Sequence, residues 1–272
     1  MSWHDPCFIS LYQQQSGNSL SPWEYSVDKS LFISMTGASQ NMLAQQAHAN
    51  NLANVSTTGF RRDFEQARSM PVYGESLPTR AYAMTERPGT DLAFGSMQET
   101  GRELDIAVEG EGWIAVQAPD GTEAYTRAGS LKIDAFGLLR TSSGMPVLGN
   151  AGPIALPPAD KVEIGQDGTI SIRAEGEAPN VLAEVDRIKL VNPDPTALRK
   201  GEDGLMRVEG VAEQPADAAV RVASGFLESS NVNAVAEMTA MLSLARQFEL
   251  HIKMMRTAEE NSQATNRILQ IS

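Results

Sequence analysis

Cysteine is almost missing. Cys7 is the only one in 272 residues, so no disulfide can close within the chain and no cysteine metal cluster exists. Long apolar runs are missing as well: no stretch approaches the roughly 18 consecutive apolar residues of a membrane span, which argues against membrane insertion. Basic charge is scarce, with 22 Lys and Arg against 34 Asp and Glu and a formal net charge of −12. The phosphates of nucleic acid repel such a chain. The same acidity favours solubility of the free chain.

The signatures of catalysis and ligand binding are also lacking. His4, His48 and His251 are the only histidines, and none sits in an H-E-x-x-H or similar ligand spacing. No G-x-S-x-G elbow occurs. Gly110-Glu111-Gly112 reads as a hairpin feature, because neither G-x-G-x-x-G nor G-K-[ST] follows it. Glu103, Asp105, Glu109 and Glu111 cluster beside Trp113, and two carboxylates can cleave a glycoside. Alternation along a strand scatters these side chains to opposite faces, so a solvated or intersubunit surface is the stronger reading. No catalytic residue, metal or cofactor is expected.

The first twenty-six residues, "MSWHDPCFISLYQQQSGNSLSPWEYS", lack the basic start and apolar stretch of a cleavable secretory signal. Export of this chain would need a route that cleaves no such signal.

What is present is an ordinary folding composition, 42% hydrophobic and 21% charged, long enough for one sizeable core or two modest ones. It divides into two helical ends around a β-rich middle. From Asp28 to Asn54 there is no proline, and Gly37 is the only glycine. Leu31, Met35, Ala38, Met42, Gln45, Ala49 and Leu52 recur at spacings of four and three, predicting a seam on one helix face. Asp28 is placed to cap this helix and Gly59 to close the turn after it. From Asn233 to Ile271 there is neither proline nor glycine. There Met241, Leu244, Phe248, His251, Met255, Ala258, Ser262, Thr265 and Leu269 predict a second seam. About 40 helical residues would make a rod roughly 60 Å long, longer than a small domain is wide.

Between the ends the period changes to two. Asp120-Gly121 separates Trp113–Gln117 from Ala124–Thr126, Asp134-Ala135-Phe136-Gly137 separates Leu131–Ile133 from Leu138–Thr141, and Asp167-Gly168 separates Val162–Ile164 from Thr169–Ile172. These are hairpin signals. Further strands are predicted at Val185–Val191, Leu205–Val208 and Ala219–Val222. The expected fold is α+β: discontinuous N- and C-terminal α-helices form a helical stalk around a mainly antiparallel β-domain. Its parts are an unmatched N-terminal segment (1–27), a helix and turn (28–64), an extended connector (65–100), the β-rich middle (101–224) and the C-terminal helix (225–272).

Three motifs carry a family resemblance: "ANNLANVSTTGFRRD" (Ala49 to Asp63), the β-region from Leu104 to Gly149, and "SGFLESSNVNAVAEMTAMLSLARQFELHIKMMRTAEENSQATNRIL" (Ser224 to Leu269). Together they resemble the axial proteins of the bacterial flagellum, the rod and hook family. "RQFELHIKMMRTAEEN" (Arg246 to Asn261), "FRRDFEQARSMPVYG" and "DRIKLVNPD" look like its proximal-rod F-type branch. The resemblance implies a structural subunit with no enzymatic activity. Such a subunit self-assembles through its terminal helices with itself and other rod subunits into a torque-transmitting tube. It also implies export by the flagellar type III apparatus and a place in the basal-body rod across the periplasm.

On this reading the assembly contacts are Asn50, Asn51, Asn54, Gly59 and Phe60 at the front. At the back they are Asn231, Asn233, Glu237, Met238, Arg246, Phe248 and Glu249. Arg61 and Arg62 are expected to meet acidic residues of neighbouring subunits.

Family members of this type begin close to a segment like "VDKSLFISMTGASQ" (Val27 to Gln40), so translation is expected to start at Val27, with residues 1–26 an upstream artefact. The alternative is a genuine extension that orders on export or assembly. An intact-mass measurement on the native protein should return the shorter chain; peptides containing Ser2 or Trp3 from purified basal bodies would refute this.

Overall fold

A computed structural model describes residues 29–71, 81–86, 89–174, 182–210 and 213–271. The expectations for residues 1–27 and for the Asp28 cap lie outside them. Two helices and sixteen strands make up the described chain, and the class is α+β.

Helix α1 spans Lys29–Ala53 and helix α2 spans Ala234–Ile271. Asn233 caps α2: its Oδ1 accepts from the amides of Val235 (3.0 Å) and Ala236 (3.2 Å), satisfying donors that the first helical turn leaves open. The helices run antiparallel, with Gly37 against His251 and His48 against Glu237. A Cβ on Gly37 would lie 2.5 Å from His251 Cε1, so the glycine is what lets the ring lie flat on α1. With 25 described residues against 38, α1 matches only part of the length of α2. At about 1.5 Å per residue the described lengths differ by roughly 20 Å.

The seam read on α2 lies along its covered face: Met241, Leu244, Phe248, His251, Met255 and Ser262 are half-buried and Ala258 is buried, while Thr265 is exposed. The side chain of Leu269 is outside the described residues. The seam read on α1 requires correction. Of the residues read there only Ala38 is buried; Met35 and Met42 are 52% and 59% exposed, and the other buried positions are Ser34, Gly37, Ala44, Ala47 and Asn51. α2 brings the bulk of the contact, so α1 meets it with small residues that let the axes come close. The larger apolar side chains of α1 are left on its flank.

The segment expected as a plain connector holds a hairpin, β1 (Gln66–Pro71) with β2 (Ala81–Glu86), followed by β3 (Met97–Glu99). The hairpin lies on α1, where Gln40 Oε1 accepts from the Thr85 amide at 2.7 Å. The middle continues with β4 (Ile106–Glu109), β5 (Trp113–Gln117), β6 (Glu123–Thr126), β7 (Leu131–Ile133) and β8 (Leu139–Thr141). Then come β9 (Ala159–Ile164), β10 (Thr169–Ala174), β11 (Ala183–Arg187), β12 (Leu190–Val191), β13 (Leu198–Lys200), β14 (Met206–Val208), β15 (Arg221–Ser224) and β16 (Phe226–Glu228). Among the described residues every strand pairing is antiparallel, around a five-stranded sheet in the order β12-β5-β6-β14-β13. The predicted strand 185–191 is in fact two. β11 pairs with β10 and β12 with β5, so the chain changes sheets near Ile188.

Strand β5 is buried on both faces. Ile114 and Val116 enter the larger core with Ile106, Leu131, Leu139, Ile154 and Ile170, while Trp113 and Ala115 enter a smaller one with Tyr125, Val191, Leu198 and Met206. That smaller core carries the β-domain to the base of the stalk.

Several turns of the β-domain share one device, an aspartate whose carboxylate accepts from the turn that follows it. Arg140 beside Asp134, Thr169 beside Asp167, Thr196 beside Asp194 and Arg207 beside Asp203 hold these carboxyls below the ordinary range. A depressed carboxyl stabilises the fold above its unfolded value, about 4, and loses that contribution as pH falls through the lower native value. The melting temperature of the β-domain should therefore change little between about pH 7 and 5 and drop steadily below about pH 4, as followed by circular dichroism.

Candidate assembly interface and its buried junction

Where the stalk meets the β-domain, one carboxylate gathers four segments. Glu228, at the end of β16, accepts from Arg61 Nη2 at 2.6 Å, from the Gly95 amide at 2.9 Å and from Arg127 Nη1 at 3.1 Å. Its own carbonyl accepts from the Gly59 amide at 2.8 Å. Arg61 follows α1, Gly95 lies in the connector just before β3, Arg127 follows β6, and Glu228 leads toward α2. All three charged side chains are buried. Both guanidiniums face the rings of Trp113 and Phe94, at 5.0–6.0 Å from the centroids, so aromatic faces add to what a single carboxylate supplies to two cations. Burial pulls the Arg127 guanidinium below its ordinary range; Glu228 opposes this and Arg61 adds to it.

A second polar cluster lies one turn toward the helices. His48 Nδ1 is 2.5 Å from Glu237 Oε2, and His48 Nε2 is 3.0 Å from Glu65 Oε2. Arg62 Nε donates to Asp91 at 2.9 Å, and its Nη1 lies 3.8 Å from Glu237. Asn51 clamps Asp63 by two bonds, amide to carbonyl at 3.1 Å and carbonyl to backbone N–H at 3.0 Å. Asn231 accepts from the Arg62 amide at 2.8 Å and donates to the carbonyls of Asp91 and Ala93. Lys200 Nζ donates to Asp63 and to the Arg61 carbonyl and sits 3.9 Å above the Phe60 ring.

The residues expected to bind neighbours thus divide. Asn51, Gly59, Phe60, Asn231 and Glu237 are engaged inside the chain. Gly59 has φ +68°, and a Cβ there would meet the Arg127 carbonyl carbon at 2.3 Å. Asn54 closes the local turn, donating to the Asn50 carbonyl and accepting from Thr57, and Asn233 caps α2. Phe248 is half-buried on the covered face of α2. Asn50, Met238, Arg246 and Glu249 are exposed. Arg61 and Arg62 find their acids within the chain, contrary to expectation, because the fold folds Glu228 and Asp91 back onto them. Asp105 is likewise buried, bonded by Arg102 and Thr100, and does not belong to a solvated acidic surface.

The geometry leaves a different surface free. On α2, Val235, Met238, Leu242 and Leu250 are 51–71% exposed, on the side away from the seam. On α1, Phe32, Met35, Met42 and Leu43 are 45–59% exposed. Both helices therefore have two apolar faces, one used within the chain and one bare. Periodicity alone fixes a face's spacing but not which of two faces is covered, and that is why Phe32, Leu43 and Val235 escaped the sequence reading.

Among the described residues no group of three or more His, Cys, Asp or Glu could hold a metal ion, and no helix is long and apolar enough to cross a membrane.

Comparison with known proteins gives three consecutive family matches. A flagella basal body rod protein model matches residues 31–61, a flagellar hook protein FlgE/F/G D1 domain model matches 107–172, and a flagellar basal body rod FlgEFG protein C-terminal model matches 223–268. The flagellar basal-body rod protein FlgF of Escherichia coli K12 is 42% identical over 252 residues, covering 90% of this chain and 100% of that protein. FlgF of Salmonella typhimurium LT2 is 40% identical over the same shares. FlgG of Bacillus subtilis 168 is 32% identical over 256 residues, 85% of this chain and 96% of that protein.

Removing the shared carboxylate leaves two buried guanidiniums without their anion. Glu228→Gln should destabilise the folded chain by about 3–5 kcal/mol, read from denaturant unfolding; a loss under about 1 kcal/mol would contradict the role given to this residue.

Proposed function

The chain belongs to the flagellar basal-body rod protein family, and on that premise we propose that it is a proximal-rod subunit that enters the axial tube through the bare faces of α1 and α2. It is a structural subunit of the flagellar basal-body rod and not an enzyme, and it assembles with other rod subunits. Export by the flagellar type III apparatus and a position across the periplasm rest on the resemblance of its terminal motifs to axial proteins.

The observation that carries the assembly reading is the two-faced α2. One face is covered by α1, while the opposite one keeps Val235, Met238, Leu242 and Leu250 in water. Large apolar side chains left exposed along one side of a helix are a signature of a surface that binds a partner. Burying it against neighbours gains roughly 25 cal/mol per Å² of apolar area. Methionines at Met35, Met42, Met238 and Met254 suit contacts with subunits that are related but not identical, because an unbranched thioether adapts to uneven surfaces. Asn50, Arg246 and Glu249 rim these faces with hydrogen-bonding groups. Asn51, Asn54, Gly59, Phe60, Asn231, Asn233, Glu237 and Phe248 act one step back, fixing the angle at which the faces are presented. Repeated head-to-tail contact by a rotation that does not close builds a helical tube, and the clamped junction lets each subunit pass torque along it.

Charges placed on the bare face separate folding from assembly. Met238→Glu with Leu242→Glu should change the subunit's own stability by less than about 0.5 kcal/mol yet abolish motility and recovery of the subunit in basal bodies. Full motility from that double variant would refute the assembly face.

A further inference from the structure

The bare faces of both helices carry thioethers. On α1, Met35 comes three residues after Phe32, and Met42 seven after Met35. On α2, Met238 comes three residues after Val235 and four before Leu242. Spacings of three, four and seven bring these side chains onto one side of each helix. Met35, Met42 and Met238 are 52%, 59% and 51% exposed. Methionines elsewhere are covered: Met241 and Met255 are half-buried in the α2 seam, and Met206 in the smaller core is 2% exposed.

We propose that Met35, Met42 and Met238 are oxidation sites at which a peroxide bars the folded subunit from the rod; this block rests on the assembly faces proposed above. The methionine sulfur attacks one oxygen of hydrogen peroxide. An S–O bond forms, the O–O bond breaks and water leaves, so sulfur loses two electrons and the peroxide gains them. The product is a sulfoxide, polar where the thioether was apolar. In the free chain, water hydrogen-bonds the new oxygen. Against a neighbouring subunit that oxygen is an acceptor set among Phe32, Val235 and Leu242, whose side chains donate nothing, and burying it there is costly. The fold is spared, because all three side chains stand outside the α1–α2 contact. Sulfoxide reductases, which return the thioether, would reverse the block.

A pulse of hydrogen peroxide to cells, quenched before new rods grow, tests this, with the chain mapped by peptide mass in the unassembled pool and in purified basal bodies. In the pool, Met35, Met42 and Met238 should be oxidised together with Met70 and Met97, which are 53% and 45% exposed outside the helices, and Met206 should stay reduced. In basal bodies the sulfoxide fraction at Met35, Met42 and Met238 should be lower on the order of tenfold, while at Met70 and Met97 it follows the pool. The purified full chain, oxidised in the same way, should keep its helical circular dichroism. Met35→Gln with Met42→Gln and Met238→Gln sets a permanent polar group at each site, and this triple variant should fold yet be missing from basal bodies. Three results would each overturn the block: a pool unoxidised at the three positions, sulfoxide there carried into basal bodies at the pool's level, or normal incorporation of the triple variant. If Met238→Glu with Leu242→Glu still fails to assemble in that case, the assembly faces stand and only the oxidation block falls.

Discussion

The architecture depends on a single buried carboxylate serving two guanidiniums. Glu228 is the point at which the segment after α1, the connector, the β-domain and the strand leading into α2 are joined. Buried charges of this kind are costly to desolvate, and they hold only when geometry and partners are right. That cost makes the junction specific: displacing any one segment strands a charge, whereas an apolar junction would tolerate sliding. Trp113 extends the arrangement into the smaller core, because its ring faces both Arg61 and Arg127 and its body packs with Tyr125 and Met206. The stalk is therefore fixed to the five-stranded sheet by side chains that also belong to that sheet's interior.

A rigid base changes what the helices can do. Two antiparallel helices bury only one stripe each, and small residues on α1 bring α2 close. The remaining apolar stripes are presented at a set angle to the β-domain instead of collapsing onto it. Asn51, Asn231 and the Gly59 turn hold that angle with hydrogen bonds to backbone atoms. A rod subunit needs this separation of roles, because contacts made to neighbours transmit force only if the surface that makes them is not free to turn.

Much of this was legible in the chain, for identifiable reasons. Asp-Gly turns located the hairpins at 120–121 and 167–168, since the turn chemistry is local. The α2 seam was legible because large residues mark it. The α1 seam was misread because Met35 and Met42 outweigh Gly37, Ala44 and Ala47 on any hydropathy pattern, although the small residues make the contact. The β1–β2 hairpin was missed: Gln66–Pro71 contains no β-branched residue and ends in proline, so nothing in it marks a strand. The ion pairs of the junction join residues 167 and 101 positions apart, beyond any periodic signal. One hint exists, since Glu228 is the only carboxylate between Arg221 and Glu237; an isolated acid there, with Arg61 and Arg62 beside the matching Gly-Phe pair, suggests a partner.

The unequal helices have a consequence for direction. Toward its C-terminus α2 is mostly exposed, with Gln263 to Ile268 all in water. The difference in described helix length gives the stalk two unlike ends, one closed by the Glu228 junction and one formed by α2.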